Sequence, residues 1–392
     1  MTDGKVLGGG TVGGRGYETI VIGLGAIGAA TAATLAGRGD RVLGLDSYPP
    51  VHDKGASHGG SRIIREAYFE APAYVPLVQR AYALWRDLEA ATGHHLLTIT
   101  GGLCFGLPES DVVTGTQASA EIHHLPYERL GPSDVAARFP GFRLPEDMVA
   151  IHEPRAGILD PEGGVAAHLE LAARRGAELR HEEPVLRWSP DGEGVRVETA
   201  RGTYRARSLV IAAGPWAGQV LTELRLPLTV RRIVNVYFEP VRPELFGPEC
   251  CPIYIFQGVE GQYYGFPDLP GQGLKAGRHD GGEVCTPQTI RREVDDSEVE
   301  AVRAALTHYM PGSAGRARKT VTCMYVMTPD ENFILDRHPA HPQVVFGAGF
   351  SGHGYKFAPV IGEALADLAT EGSTALDIGF LSLARFGAGV AV

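Results

Sequence analysis

Apolar positions in the first fifty residues follow two different spacings. The runs TIVIG (residues 19–23) and RVLGLD (residues 41–46) are short and continuously apolar, which predicts two strands. Between them lies the turn GLGAIG and then AATAATLAGRG (residues 29–39), whose alanines and leucine predict a helix. Residues 17–46 therefore predict a strand, a glycine turn, a helix and a second strand that ends in an acid.

Later stretches repeat both kinds of spacing. Helices are predicted by apolar spacing and by boundary residues at residues 74–92, 133–138, 160–176, 296–309 and 359–370. The run SLVIAAGPWAG (residues 208–218) predicts a strand that enters a glycine turn beside the first one. Residues 230–277 alternate and are rich in aromatic residues, as in VNVYFEP and CPIYIFQ, which predicts antiparallel strands.

The glycines of the first turn have separate expected tasks in binding a dinucleotide. Gly23 allows the tight turn, Gly25 lets backbone N–H groups approach a pyrophosphate, and Gly28 lets the helix lie close to the sheet. Asp46, at the end of the second strand, is placed to accept hydrogen bonds from ribose hydroxyls, which disfavours a 2′-phosphate. FAD or NAD is therefore favoured over NADP.

These elements predict an α/β fold with two domains, since 392 residues exceed what one hydrophobic core usually serves. A Rossmann-type domain is expected from residues 17–92, 150–224 and 323–392. A mixed or antiparallel sheet domain with helices, which would bind the substrate, is expected from residues 93–149 and 225–322. Residues 1–16 are rich in glycine and lack a pattern, which predicts a flexible lead-in.

Composition excludes several function classes. The chain has 36 basic and 46 acidic residues, a formal net charge of −10, which predicts neither a nucleic-acid-binding face nor a polybasic membrane anchor. No apolar run reaches the roughly 18 residues of a membrane span. The odd number of cysteines, 5, and the absence of a C-x-x-C pair argue against a disulfide framework and against a zinc site. We expect a cytoplasmic protein.

The sequence after the second strand argues against an NAD-dependent enzyme. A hydride-transferring NAD enzyme usually continues there with another strand and helix, whereas this chain has the loop ASHGGSRIIR (residues 56–65). Two arginines in a glycine- and serine-rich loop suggest cations placed over a cofactor.

Several separated blocks resemble those of one family. In chain order they are GLGAIG, SHGGSRIIREAY, EPRAGILDP, AAGPWAG, YYGFP, GLKAGRH, TCMY with PDENFILDRHP, and GAGFSGHGYKF. From about residue 19 to about residue 385, the chain resembles the monomeric sarcosine oxidase and N-methyltryptophan oxidase group of FAD-dependent amine oxidases, within the D-amino-acid oxidase-like superfamily. The resemblance implies FAD as the cofactor of the Rossmann-type domain, and a monomer.

The same resemblance implies which residues bind the cofactor. They are Gly23, Gly25, Gly28, Asp46, Ser57, His58, Arg62, Cys323, Gly352, Gly354 and Lys356. Cys323 would carry FAD as an 8α-S-cysteinyl thioether. The turn from Gly352 to Gly354 would direct backbone N–H groups at the N1–C2=O edge of the flavin, where negative charge collects on reduction.

The substrate side is implied in the same way. Arg65 and Lys356 would hold the substrate carboxylate, because a guanidinium offers two parallel donors and an ammonium adds a point charge. His279, Tyr264 and Tyr325 would position the amine.

Lys275 and Arg62 would lie against the reactive side of the isoalloxazine. A positive charge there stabilises superoxide as it forms. Lys275 and His279 are four residues apart in LKAGRH, and residues at even separations lie on the same face of a strand. One strand can therefore present both side chains on one face.

The implied reaction is oxidation of a secondary amine, most directly sarcosine, with O2 as the acceptor. A hydride equivalent passes to flavin N5, and glycine, formaldehyde and hydrogen peroxide are formed. Bulkier N-methyl amino acids such as N-methyltryptophan, or cyclic imino acids such as pipecolate and proline, are alternatives. An NAD-dependent dehydrogenase and a non-catalytic flavoprotein are the other hypotheses.

Three departures from the family pattern leave the exact substrate open. The loop reads SHGGSR rather than the more acidic SHHGDTR, and Arg278 stands where an aromatic residue is familiar. Val326 and Met327 follow Tyr325 where a threonine is expected.

Overall fold

The computed structural model describes residues 16–387 of the protein. Residues 1–15, which make up almost all of the predicted lead-in, and residues 388–392 lie outside the described residues. Within residues 16–387 the helices are α1 (Ala26–Gly37), α2 (Val75–Thr92), α3 (Asp111–Ile122), α4 (Pro132–Arg138), α5 (Pro161–Arg174), α6 (Ala217–Val220), α7 (Asp296–Tyr309) and α8 (Ala358–Thr370). None of them is both long enough and apolar enough to cross a membrane.

Strands account for much of the remaining chain. They are β1 (Tyr17–Ile22), β2 (Val42–Leu45), β3 (Arg62–Ile64), β4 (Leu97–Ile99), β5 (Gly102–Gly106), β6 (Glu128–Leu130), β7 (Val149–Glu153), β8 (Gly157–Leu159), β9 (Glu178–Arg180), β10 (Val185–Asp191), β11 (Gly194–Thr199), β12 (Gly202–Ile211), β13 (Thr229–Phe238), β14 (Ile253–Gly258), β15 (Gly261–Leu269), β16 (Gly273–Arg278), β17 (Glu283–Cys285), β18 (Ala317–Met327), β19 (Ile334–His338) and β20 (His341–Ala348).

The first sheet has a parallel centre, in the order β9-β2-β1-β12-β20. Strand β12 lies directly beside β1, as the sequence predicted, so the glycine turns that follow these strands meet at one edge of the sheet. Helix α1 follows β1 and packs against α5 and α8. A Cβ at position 28 would overlap the carbonyl oxygen of Gly23, so only glycine allows α1 to start this close to the strand.

The second sheet is mostly antiparallel, in the order β17-β13-β16-β15-β14-β5-β7-β6, and β18 pairs with β13. The predicted aromatic strands β13 to β16 form its centre, as the alternating pattern indicated. Helix α7 packs on one face through Val302, Leu306 and Tyr309, in a cluster with Phe105 and Phe256. A third, small sheet has the order β3-β8-β4, and both of its strand pairs are antiparallel.

Predicted and observed elements differ at α3 and at β18, among other places. Helix α3 was not predicted, because DVVTGTQASAEI has few strong apolar residues and contains Gly115. A Cβ at this glycine would overlap the backbone of Phe69. Strand β18 pairs with β13 along almost its whole length and runs through the predicted domain boundary at residue 323. Cys323 therefore belongs to the second sheet, and the division into two domains stays a prediction.

Candidate functional site

A cavity of about 770 Å3 extends from the N-terminus of α1 to Cys323 on β18. Its walls come from the glycine turn after β1, the turn after β12, the loop at residues 55–57 and the glycine turn before α8. Both main sheets thus contribute to one elongated cavity. Its size lies within the range of cavities that hold large cofactors.

The nucleotide end of this cavity is the glycine turn. Gly23 has a φ of 88°, and Gly25 is the N-cap of α1 without a side-chain hydrogen bond to the first turn. Free N–H groups at a helix N-terminus form an anion site. One N–H of the first turn, that of Ala26, already donates to the Oγ of Ser57 at 3.1 Å.

Asp46 lies at the end of β2 and lines the same cavity. Its Oδ2 accepts the N–H of Leu24 at 2.6 Å, and its Oδ1 accepts the N–H of Tyr48 at 2.9 Å. Burial raises the pKa of this carboxyl, but the nearby His52, whose Nε2 lies 3.6 Å from Oδ1, and the hydrogen bonds from these N–H groups lower it below its ordinary value. A carboxylate oxygen has further lone pairs, so Asp46 fits as an acceptor for ribose hydroxyls.

Three aromatic side chains near Asp46 were not singled out from the sequence. The ring of Tyr48 lies 4.8 Å from that of His52 and 5.6 Å from that of Trp216, centroid to centroid, and all three line the cavity. They offer a stacking surface for a planar base. No local sequence signal marks them, because Trp216 is far from the other two along the chain.

The loop over the middle of the cavity is held from both sides. The Glu162 carboxylate accepts the N–H groups of Gly59 at 2.6 Å and of Gly60 at 3.1 Å. On the other side, the Gly59 carbonyl accepts the hydroxyl of Tyr237 at 2.6 Å and the ammonium of Lys275 at 2.8 Å. This loop therefore presents Ser57, His58 and Arg62 in a fixed arrangement.

Lys275 is buried on β16, and its Nζ also donates to the carbonyl of Ser61 at 2.9 Å. Burial, together with the charge of Arg62, lowers the pKa of Lys275 well below its ordinary value. Its charged form is therefore favoured most when negative charge forms beside it.

Cys323 faces Arg62 and His58 at the far end of the cavity. Its Sγ lies 3.7 Å from Nη2 of Arg62. Burial raises the pKa of Cys323, but the neighbouring His58 and the charge of Arg62 outweigh that effect and lower it to about 7. His58 Nε2 is buried and has no hydrogen-bond partner among residues 16–387. The thiolate is thus available near neutral pH.

A second cavity, of about 70 Å3, adjoins the first and shares Arg62, Cys323, Tyr325, Gly352 and Tyr355 with it. The structure brings predicted substrate-binding and catalytic residues together around it. They are Arg65, Lys356, Lys275, His279, Tyr264 and Tyr325.

Arg65 is 2% exposed, and its guanidinium is held by its own loop. Nη1 donates to the carbonyl of Ala67 at 2.8 Å, and Nη2 donates to Glu70 at 2.5 Å. The guanidinium carbon lies 4.3 Å from the ring centre of Tyr68 and 4.2 Å from that of Phe69. Nε is buried without a partner among the described residues, which leaves one strong donor for a ligand.

Lys356 lies two residues before α8, and its Nζ donates to the carbonyl of His353 at 2.9 Å. Burial and the charge of Arg65 lower the pKa of Lys356 to about 7. Two cations that share a small cavity repel each other. An anion placed between them relieves this repulsion.

His279 follows β16 directly, and its ring lies 5.4 Å from that of Tyr325 and 6.2 Å from that of Tyr264. Burial lowers the pKa of His279, so its imidazole is neutral at pH 7. Tyr264 donates to Asn235 Oδ1 at 2.7 Å. Gly352 has a φ of 81°, and a Cβ there would overlap the ring of Tyr325.

Glu70, Glu162 and Asn235 were not identified as site residues from the sequence. Glu70 had a usable signal, since it is an acid at the end of RIIREAYFE, five residues after Arg65. Glu162 and Asn235 had none, because each contacts residues that are distant along the chain.

The chain is similar to known proteins over most of its length. The family model for FAD dependent oxidoreductase matches residues 18–368. The chain is 49% identical to the monomeric sarcosine oxidase of Streptomyces avermitilis over 95% of this chain and 98% of that protein. It is 35% identical to the N-methyl-L-tryptophan oxidase of Yersinia pestis over 94% of this chain and 99% of the other.

A solved structure shares the fold. NikD, described as an unusual amino acid oxidase essential for nikkomycin biosynthesis, superposes with a TM-score of 0.82 at 30% identity. The superposition covers 93% of this chain and 97% of NikD.

Proposed function

This chain belongs to the family of FAD-dependent oxidoreductases, as the resemblance of its sequence blocks predicted. We propose that the protein is an oxidase of sarcosine. Sarcosine, oxygen and water would give glycine, formaldehyde and hydrogen peroxide. The observation that carries the proposal is the pair of buried cations, Arg65 and Lys356, at a cavity of about 70 Å3 beside the larger one.

The small cavity favours a small amino acid. Its walls include the bulky side chains of Phe69, Ile255 and Phe266, and a volume of about 70 Å3 leaves little room for an indole side chain. A bulkier substrate such as N-methyltryptophan is the second candidate, because a relative at 35% identity is an N-methyl-L-tryptophan oxidase. The measured preference between the two decides the substrate.

The residues present fit FAD. The N-terminus of α1 can bind the pyrophosphate, Asp46 the ribose, and the turn at Gly352 the polar edge of the flavin. When bound, FAD accepts a hydride equivalent from the amine and is reoxidised by oxygen.

The remaining residues orient the substrate. The free Nε of Arg65 and the Nζ of Lys356 bind the carboxylate and so fix the position of the N-methyl group. Neutral His279 and Tyr264 contact the amine, which binds in its deprotonated form. No side chain has to act as a strong base, since the amine is already neutral.

We propose that Cys323 holds FAD through a thioether. Its lowered pKa supplies the thiolate, and its Sγ lies at the junction of the two cavities. The C–S bond would replace one C–H bond of the 8α-methyl group, and the two electrons released would pass to the flavin and then to oxygen. We expect Cys323→Ser to release all of its yellow colour into the supernatant on acid precipitation, whereas the wild-type pellet keeps it. The measurement is absorbance near the flavin maximum in both fractions.

Cys104→Ser is the matched control for this experiment. Cys104 is also buried but lines neither cavity, so its pellet should stay yellow. A wild-type protein whose colour washes out would contradict covalent attachment and leave the FAD assignment intact.

A pH dependence follows from Lys356. Because its pKa is about 7, the ammonium is present below pH 7 and is lost as the pH rises through that value. We expect acetate, a carboxylate without an amine, to bind roughly tenfold more weakly at pH 8.5 than at pH 6.5. The reason is that acetate binding is linked to the uptake of up to one proton by Lys356. Flavin absorbance changes during acetate titrations measure the Kd.

The same acetate titration of Lys356→Met shows whether the pH dependence arises from Lys356 or from another titratable group nearby. We expect weak binding of acetate with no change over this pH range. A wild-type Kd that is flat from pH 6.5 to 8.5 would contradict the assignment of Lys356.

The substrate itself is tested by anaerobic reduction. We expect sarcosine to bleach the flavin at a lower concentration and faster than N-methyltryptophan or pipecolate. No bleaching by any of the three would refute the proposed amine oxidase. Faster bleaching by N-methyltryptophan would make the second candidate the function.

A further inference from the structure

The last residue of β7, Glu153, lies outside both cavities yet reaches the loop that carries Arg65. Its Oε1 accepts the N–H of Glu66 at 2.6 Å, and its Oε2 accepts the N–H of Ala67 at 3.0 Å. One buried carboxylate thus binds two consecutive N–H groups directly after Arg65. These contacts are separated by 87 and 86 residues along the chain.

The bound backbone also holds Arg65. The carbonyl of Ala67 accepts the Nη1 of Arg65 at 2.8 Å, and the rings of the next two residues flank the guanidinium. The loop at residues 66–70 therefore wraps around the guanidinium and fixes where its free Nε points. Glu153 anchors the start of this loop to the second sheet.

We propose that Glu153 is the positioning residue of the carboxylate-binding site, acting on Arg65 through the backbone of residues 66 and 67. The inference rests on the proposed function, since it takes Arg65 as the carboxylate-binding group. It assigns Glu153 no contact with substrate or cofactor.

Burying the charged carboxylate of Glu153 costs free energy of folding. A charge kept in spite of this cost supports a specific role for Glu153 in holding the loop. Glu153 is 4% exposed, and burial raises its pKa to about 7 even with the two N–H donors and Arg65 nearby. An uncharged side chain of similar shape would avoid this cost. It would, however, leave at least one N–H without an acceptor.

A neighbouring acid provides the contrast. Glu66 is 1% exposed, but its carboxylate accepts no backbone N–H, and its closest cation is Arg155, whose Nη2 lies 3.2 Å from Oε1. Removal of the charge of Glu66 therefore changes the local electrostatics without releasing the loop. Glu66→Gln is the matched control.

The test compares Glu153→Gln, Glu66→Gln and the wild-type holoenzyme. We expect Glu153→Gln to raise the KM for sarcosine and the Kd for acetate about tenfold, the fold-change that corresponds to one buried N–H left without its acceptor. The kcat should stay within about twofold, because Lys275, Cys323 and the cavity walls are unchanged. Glu66→Gln should match the wild type in both constants.

Unchanged KM and Kd in a folded Glu153→Gln enzyme would overturn the proposal, and so would an equal change in Glu66→Gln. If the glutamine variant does not fold, Glu153→Asp carries the test, since it keeps the charge and shortens the reach. An unchanged KM in that variant also overturns the proposal. Failure of the wild type to bind acetate would refute the role of Arg65 instead, so the two failures are distinguishable.

Discussion

The Lys275→Met enzyme should react with oxygen about 10²- to 10³-fold more slowly after reduction, the loss expected when one preorganised charge is removed from a developing anion. Its reduction by sarcosine should change only a few-fold. The distinction arises because Lys275 touches the loop at Gly59 and Ser61, whereas the carboxylate-binding cations are Arg65 and Lys356. Stopped-flow absorbance measures the two half-reactions separately.

The physical reason is the cost of the buried ammonium. Burial and Arg62 lower the pKa of Lys275, while the two carbonyls that accept its N–H groups hold it in place. Negative charge that forms on oxygen nearby offsets the penalty of burial, so the interaction is strongest when the electron is transferred. Methionine fills a similar volume and cannot provide this charge.

Lys319→Met is the matched control. Lys319 lies 4.3 Å from the ring centre of Tyr237, the tyrosine that shares the Gly59 carbonyl with Lys275, but it is exposed and lines neither cavity. Its oxygen reaction should equal that of the wild type. If Lys275→Met reoxidises at the wild-type rate, or if both variants slow equally, the role assigned to Lys275 is wrong.

The sequence predicted the parts of the fold whose signals are local. The unit from β1 to β2 was recognisable because strand, turn, helix and acid follow one another within thirty residues. Helices α2, α5, α7 and α8 were recognisable from the spacing of apolar residues. Helix α3 was not, since its glycine is explained only by a contact with Phe69.

The candidate site was predictable where a block of sequence carries its own chemistry. Arg62, Arg65, Lys275 and His279 lie in such blocks, and the structure brings them to adjoining cavities. No sequence signal of this kind identifies Glu153. Its role depends on β7 bringing its carboxylate to a loop more than eighty residues earlier, which no local pattern encodes.

We expect Arg65→Met to lower kcat/KM for sarcosine by about 10²- to 10³-fold, the loss expected when one partner of a buried charge pair is removed. Most of the loss should be in KM, together with a matching rise in the Kd for acetate. The substitution removes the free Nε donor and also the partner of Glu70. Steady-state kinetics and acetate titrations measure both constants.

Glu70, the ion-pair partner of Arg65, allows a second test of this prediction. Burial raises the pKa of Glu70, but the charge of Arg65 more than offsets this and leaves the value at about 2. Without Arg65, a buried carboxylate remains beside the substrate carboxylate and repels it, or takes up a proton at a cost. The Arg65→Met, Glu70→Gln double variant should therefore recover roughly tenfold in kcat/KM over Arg65→Met, a coupling of about 1.4 kcal/mol.

Arg65→Lys distinguishes charge from geometry. Lysine keeps the positive charge next to Glu70 but loses the planar donors that reach Ala67 and the ligand together. We expect its kcat/KM to lie between those of the wild type and Arg65→Met. A value equal to the wild type would mean that charge alone binds the carboxylate, and the fixed loop around Arg65 would then have no part in substrate recognition.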